Sequence, residues 1–256
     1  MQTDNGYVKS GTEDGITTIV FFHPQSNSLP AVILSQLTEA INHAAKNSRT
    51  KVIVLKSEGE KSFCAGASFN ELAGIENKES GQSFFSGFAN VINAMRKCDK
   101  VIIARIQGRC VGGGVGLAAA ADYAIAVKNA DVKLSELAVG IGPFVVGPAV
   151  ERKIGMAAFS ALTIDATNWR TGQWAFEKGL FAEIYDSINQ VDNAVKSLAE
   201  KLAASNPEAM AAIKQICWQG TEDWDNLLQD RAGISGQLVT STFTKNAIGA
   251  FKLSKK

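Results

Sequence analysis

The stretch from Val101 to Val127 limits the possible folds of this chain more than any other. Val101 to Ile106 is an apolar run interrupted only by Arg105, and it reads as a buried strand. Gly108 ends it, and Gly112, Gly113, Gly114 and Gly116 follow. Leu117 to Ala121 then reads as a helix of small residues, and Tyr123 to Val127 as a second buried strand. Strand, glycine turn, helix and strand make a βαβ-type unit, the mark of an α/β architecture. Glycines at such a turn let backbone approach a ligand closely, and the amides of a helix N-terminus point outward unpaired. Such amides can hold a phosphate or a developing oxyanion. A dinucleotide fingerprint spaces its glycines as G-x-G-x-x-G, whereas these run Gly112-Gly113-Gly114-Val115-Gly116. A P-loop needs Lys and Ser or Thr after its last glycine, and Leu117-Ala118 stand there instead. A tight packing turn and an anion-binding turn both remain open on these residues alone.

The rest of the chain can supply a core for such a unit. It has 256 residues, 46% of them apolar, enough for one large domain or two small ones and too apolar for disorder. The 26 basic and 25 acidic residues leave a formal charge of +1, which argues against nucleic acid as the main partner. Three basic residues, Lys252, Lys255 and Lys256, cluster at the C-terminus. Cys64, Cys98, Cys110 and Cys217 have neither paired nor metal-ligand spacing and read as reduced thiols of a cytoplasmic protein. With only His23 and His43, neither a histidine-based zinc site nor a Ser-His-Asp triad is expected. The polar N-terminus shows no signal peptide, and the apolar runs fall short of a membrane span.

Taken in order, Ile16 to Phe22 reads as a strand, Pro30 as the start of a helix through Ala45, and Lys51 to Lys56 as a buried parallel strand. The crossover rule makes these a right-handed βαβ unit. Cys64-Ala65-Gly66-Ala67 is a run of small residues before a short helix. Residues 76 to 83 read as a mobile polar loop, and Phe84 to Cys98 as a helix. Glu136 stands between Leu134 and Leu137. It is either a snorkelling surface group or a desolvated acid–base group. Beyond Glu151 the chain reads as mainly helical, with long helices over Val191 to Ala204, Pro207 to Trp218 and Thr221 to Val239. Residues 1–195 form an expected α/β core and 196–256 a helical region, within one continuous domain.

Four segments together resemble the enoyl-CoA hydratase/isomerase (crotonase) superfamily. They are Asn27-Ser28-Leu29, Ser62-Phe-Cys-Ala-Gly-Ala67, Ile106 to Gly114 with Ala121-Asp122, and Leu134 to Ile141. The resemblance implies a ClpP/crotonase-type spiral of ββα units whose C-terminal helices build a homotrimer or a hexamer. It implies a coenzyme A thioester as substrate and no prosthetic group or metal. It places the oxyanion hole at the amides of Ala67 and Gly113 and general acid–base catalysis at Glu136. Ala65, Ala67, Gly112, Gly113, Gly116 and Lys252 are implied in acyl-CoA binding. In this reading Lys252 and the tail lysines are the candidates to compensate the phosphates, within one subunit or from its neighbour.

Two departures from the family pattern bear on the reaction. Two-glutamate hydratases carry their first glutamate where this chain has Gly116, and the aspartate usual after Ala-Gly-Ala is Ser68. Two carboxylates can hold and activate one water; a single carboxylate can still act as base or acid. The stretch Leu134 to Ala149 most resembles a single-glutamate branch assigned to methylglutaconyl-CoA hydration. Hydration is therefore the expected reaction, Δ3,Δ2-enoyl-CoA isomerisation the alternative, and an inert acyl-CoA-binding scaffold a third reading. A carboxylated acyl branch would need a cation, and Arg109 is the only arginine within the four segments.

Overall fold

A two-residue Asp14-Gly15 turn folds the N-terminal segment onto itself. The computed structural model describes residues Gly6 to Leu253, with side chains to Ala250. Asp14 and Gly15 have φ of +47° and +81°, the left-handed pair that suits a tight hairpin. The turn joins β1 (Tyr7–Glu13) to β2 (Ile16–Phe22) in antiparallel register, Glu13 opposite Ile16. Alternate residues of β2, Thr17, Ile19 and Phe21, are buried. The expected βαβ unit follows. Pro30, with its fixed φ, caps α1 (Ala31–Lys46), which buries Ile33, Leu34, Leu37 and Ile41. β3 (Val52–Ser57) lies parallel to β2.

Two sheets then grow together. β4 (Ser62–Cys64) leaves the first sheet, and α2 (Phe69–Ala73) and α3 (Lys78–Lys97) follow. β5 (Val101–Ile106) returns beside β3, and β6 (Arg109–Val111) pairs with β4. α4 (Gly113–Ala120), β7 (Tyr123–Val127) and β8 (Val132–Lys133) repeat the pattern. With β9 (Glu183–Tyr185) the main sheet has the order β1-β2-β3-β5-β7-β9, and the small one β4-β6-β8. The residues expected to form a mobile loop at 76 to 83 are instead largely the first turn and a half of α3. Asn77 Oδ1 accepts from Ser80 N at 2.8 Å, and Ser80 Oγ accepts from Asn77 N at 3.4 Å, a reciprocal cap that starts the helix. α4 begins four residues earlier than its small-residue run suggested, and all eight of its residues are buried.

Helices complete the chain: α5 (Gly147–Ile164), interrupted at Gly155, α6 (Gly172–Glu177), α7 (Ile188–Ala203), α8 (Pro207–Cys217), α9 (Trp224–Val239) and α10 (Thr242–Leu253). The expected division at residue 196 falls inside α7, which lies across β3, β5, β7 and β9 and is tied to β5 by Arg105–Asp192. α8 is pinned to the strand ends. Lys214 Nζ lies 2.8 Å from Asp122 Oδ2 and donates to Lys100 O at 2.8 Å, and Trp218 Nε1 donates to Asp122 Oδ1 at 2.9 Å. Trp218 and Trp224 are buried and meet edge to face. α9 packs along α3 so closely that a Cβ at Gly81 would lie 2.8 Å from Gly236 Cα. No helix of the described residues is long and apolar enough to cross a membrane. All four cysteines are free, and only Cys217 is exposed.

Candidate active site

Two loops, distant in sequence, meet where the small sheet gives way to helices. The first is Cys64 to Ser68. Leu29 N donates to Gly66 O at 2.7 Å, and Ser68 N donates to Leu29 O at 3.4 Å. This parallel bridge uses the groups on either side of Ala67 and leaves the Ala67 amide outside the ladder. Ser68 has a local role, since its Oγ caps α2 by accepting from Glu71 N. Asn27 braces the loop from behind. Its amide donates to Glu58 O at 2.7 Å and Ser62 O at 3.0 Å. The second loop is the turn into α4. Gly113 is the first residue of that helix, so its amide is among those with no intrahelical acceptor. Neither the Ala67 nor the Gly113 amide donates a hydrogen bond within the described residues. Gly66 and Gly112 both have positive φ, +85° and +52°. A Cβ at Gly66 would lie 2.8 Å from Val111 O and 3.4 Å from Gly113 N, which shows how closely the loops approach.

Glu136 completes the arrangement. It precedes a 3₁₀ turn, Leu137–Val139, and its carbonyl accepts from Val139 N and Ile141 N at 3.1 and 3.0 Å. The residue as a whole is half-buried, but its Oε2 is buried with no hydrogen-bond partner among the described residues. The carboxylate lies against the glycine turn, where a Cβ on Gly112 would come within 2.8 Å of Oε1. Burial raises its pKa from 4.5 to about 7, against a smaller lowering by its own backbone amide. A carboxyl so placed exchanges protons near neutral pH.

Ala65, Ala67, Gly112, Gly113 and Glu136 all line one cavity of about 60 Å³. Gly116 does not. A Cβ there would lie 2.5 Å from Val146 Cγ1 and 2.7 Å from Val146 Cβ, and it is Val146 that faces the cavity. Gly116, expected to touch substrate, thus stands behind Val146 and is not among the residues lining the cavity. Lys252 belongs to α10, but its side chain lies outside the described ones, as do Lys255 and Lys256 altogether. Arg109 is exposed, stacks on Trp169 at 5.0 Å and is not among the residues lining the cavity.

Several lining groups were not among the site residues expected from the sequence. Phe85 and Phe88 come from α3, Phe144 to Val146 from the turn that leads into α5, and Ser235 from α9. Among the described residues no lysine or arginine lines the cavity. Ser235 lies in Gly233-Ile-Ser-Gly236, a glycine-flanked run inside a helix. Such a run marks close approach, which is the one sequence signal that could have pointed to it.

The whole chain has relatives that share this plan. Residues 11–252 match the family model described as enoyl-CoA hydratase/isomerase. A short-chain-enoyl-CoA hydratase of Clostridium acetobutylicum is 27% identical over 95% of this chain and 94% of its own length. A mitochondrial methylglutaconyl-CoA hydratase of Rattus norvegicus is 32% identical over 77% of this chain and 63% of its own. An enoyl-CoA hydratase structure from Bacillus halodurans superposes with a TM-score of 0.87 at 23% identity, covering 95% of this chain and 99% of that one. With the sheet order, the paired loops and the match over nearly its full length, this chain belongs to the enoyl-CoA hydratase/isomerase family and has the crotonase fold.

Proposed function

We propose that the chain adds or removes water at a 2-enoyl-CoA, with Glu136 as general acid and base and the amides of Ala67 and Gly113 as the oxyanion hole. The observation that carries this reading is the buried, unpartnered Oε2 of Glu136 beside the glycine turn. In hydration, ionised Glu136 takes a proton from water as the water oxygen bonds to the β-carbon. The π electrons shift onto the thioester oxygen, where two fixed N–H donors stabilise the enolate-like charge. Losing one such donor typically costs about 3 kcal/mol. Glu136 then delivers its proton to the α-carbon and regains its charge, so the carbon–carbon double bond is replaced by one C–O and one C–H bond.

The acyl group in this reading is uncharged. The cavity walls are Leu72, Phe85, Phe88, Val145 and Val146, and no described cation faces them. A second carboxylate there would be desolvated unpaired, at a cost of several kcal/mol, so methylglutaconyl-CoA is the less favoured substrate. A specific observation supports Δ3,Δ2-isomerisation as the second reading. Val146 fills the place beside Gly116, leaving no carboxylate there to help hold a water, and moving one proton between two carbons needs none. Assembly as a homotrimer or hexamer belongs to the same proposal. It is supported by large apolar side chains left in water, Ile213 and Ile216 on α8 at 60% and 63% exposure.

The enoyl chromophore tests the reaction. Loss of its absorbance from a 2-enoyl-CoA supports hydration. Its growth from a 3-enoyl-CoA supports isomerisation. Tight binding with no change in either points to a non-catalytic acyl-CoA scaffold.

A further inference from the structure

Among the described residues, three polar side chains line the inner cavity: Ser135, Glu136 and Ser235. Ser135 also lines an outer groove of about 1170 Å³, together with Ala67 and Val111, so these residues mark the cavity's mouth. Glu136 carries the proton in the reaction proposed above. Ser235 lines the cavity and not the groove, and that reaction gives it no role. It is 1% exposed, and its Oγ makes no hydrogen bond with a described residue. A helical Ser or Thr commonly turns its hydroxyl back to the carbonyl one turn earlier, as Thr38 does on α1 towards Leu34 O at 2.9 Å. Ser235 makes no such bond. A buried hydroxyl left unpaired is unfavourable, so a ligand atom that pairs with it gains affinity.

The packing of α9 on α3 fixes where along a bound acyl group Ser235 stands. Phe88 lies against the glycine turn, where a Cβ on Gly113 would come 2.3 Å from Phe88 Cε1. Phe85, nearly one turn back along α3, lines the same cavity. Further back, a Cβ on Gly236 would lie 2.4 Å from Gln82 N. From Phe88 to Gln82 is six residues of helix, about 9 Å. Ser235, next to Gly236, therefore stands towards the tail of an acyl group whose carbonyl rests on Gly113. The backbone contact at Gly236 leaves α9 no room to shift inward, so the hydroxyl is held at one depth. Between the two ends the wall that α3 supplies is aromatic, Phe85 and Phe88.

We infer that Ser235 is a specificity-determining residue that selects a neutral, oxygen-bearing acyl tail by a hydrogen bond from or to its Oγ. A serine hydroxyl both donates and accepts, so a tail hydroxyl or a tail carbonyl fits. A hydrocarbon tail leaves the Oγ unpaired, and a carboxylate tail meets no described cation. The inference rests on the acyl-CoA reading above, but not on whether water is added or a double bond is moved.

The test pairs ω-hydroxy-2-enoyl-CoAs of about five to seven carbons, the reach that a separation of ~9 Å allows, with the 2-enoyl-CoAs that carry a methyl in place of the hydroxyl. Ser235→Ala removes only the Oγ and keeps a good helix former. It should lower the ratio of the two kcat/KM values, hydroxylated over hydrocarbon, about 10-fold, and the effect should peak at one chain length. A ratio unchanged at every length overturns the assignment. So do equal losses on both substrates, which would put Ser235 at the reacting carbons. The saturated counterparts, which cannot react, read the same contact by calorimetry. Their ratio of Kd values should shift in the variant by a similar factor, and an unshifted ratio also overturns the assignment. If wild type turns over none of the enoyl substrates yet the saturated pair shows the shift, the reaction proposed above fails and the role of Ser235 stands.

Discussion

Replacing Glu136 by Gln keeps the side chain's shape and removes its ionisation, so it affects catalysis and stability by separable routes. The folded carboxyl has its pKa raised from 4.5 to about 7 by burial. A raised acid favours folding relative to its ionised form while the proton stays on. That contribution is complete below pH 4.5, where both states are protonated, and is lost as pH rises through about 7. At about 1.4 kcal/mol for each tenfold, the full loss is at most about 3 kcal/mol, an upper bound because the residue is only half-buried. Gln does not titrate. Its stability advantage over Glu should therefore widen between pH 5.5 and pH 8.5, by up to about 2 kcal/mol. For a chain of this size that is a gap in Tm growing by roughly 4–8 °C, readable by thermal or urea unfolding at the two pH values. Over the same range, wild-type kcat/KM should rise through pH about 7 as the base ionises, and the variant should lose ~10²–10⁴-fold in turnover. A gap that stays constant with pH would mean that the carboxylate is solvated. Retained turnover would mean that another group carries the proton.

Three further substitutions test other parts of the structure. Gly116→Glu places a Cβ 2.5 Å from Val146 Cγ1 and buries a charge, so the variant should lose about 3 kcal/mol or more in urea unfolding and gain no hydratase activity; faster hydration of crotonyl-CoA by the single variant would refute the packing described here. Gly66→Ala strains a residue at φ +85° and pushes on Val111 O and, less closely, Gly113 N, so kcat should fall roughly 10²-fold as the amides lose their aim; an unaltered kcat would separate this loop from catalysis. Lys214→Met removes the buried cation 2.8 Å from Asp122, and a loss of about 3 kcal/mol, or roughly 6–12 °C in Tm, is expected; an unchanged Tm would show that the donors left to Asp122, Trp218 Nε1 and Ile102 N, suffice without the cation.

Much of this plan could be read from residue order alone. Pro30 and the periodicity behind it located α1, and the apolar runs located β2, β3, β5 and β7. The four family-like segments converge on one place, with Ala67, Gly113 and Glu136 around one cavity. The elements that escaped did so for physical reasons. β4, β6 and β8 have two or three residues each, too few for any periodicity. β1 did have a signal in Asp14-Gly15, a hairpin dipeptide. The first turn of α3 is polar, and its one buried position, Gly81, is buried by Gly236 far along the chain. α4 starts on glycines that disfavour helix by about 1 kcal/mol each, a preference overridden because every residue of it is packed. Glu136 was ambiguous because its sequence neighbours do not bury its carboxylate; Gly112 and the cavity walls do.

The packing of α3 against α9 has a consequence for synthesis on the ribosome. α3 presents Phe84, Phe85, Phe88, Val91, Ile92 and Met95. Part of that surface is met by α1, which is made earlier, but the side that holds Gly81 waits for Gly236. More than a hundred residues are translated between Lys97 and Trp224, roughly 6–25 s at about 5–20 residues per second. Throughout that interval the side of α3 that holds Gly81 stands without the helix that packs on it. Nascent chains stalled before Trp224 should bind a hydrophobic dye or a holdase chaperone, and chains stalled well beyond Val239 should release it. The helix that supplies Ser235 to the cavity is thus also the cover for that side of α3, so one late segment closes both.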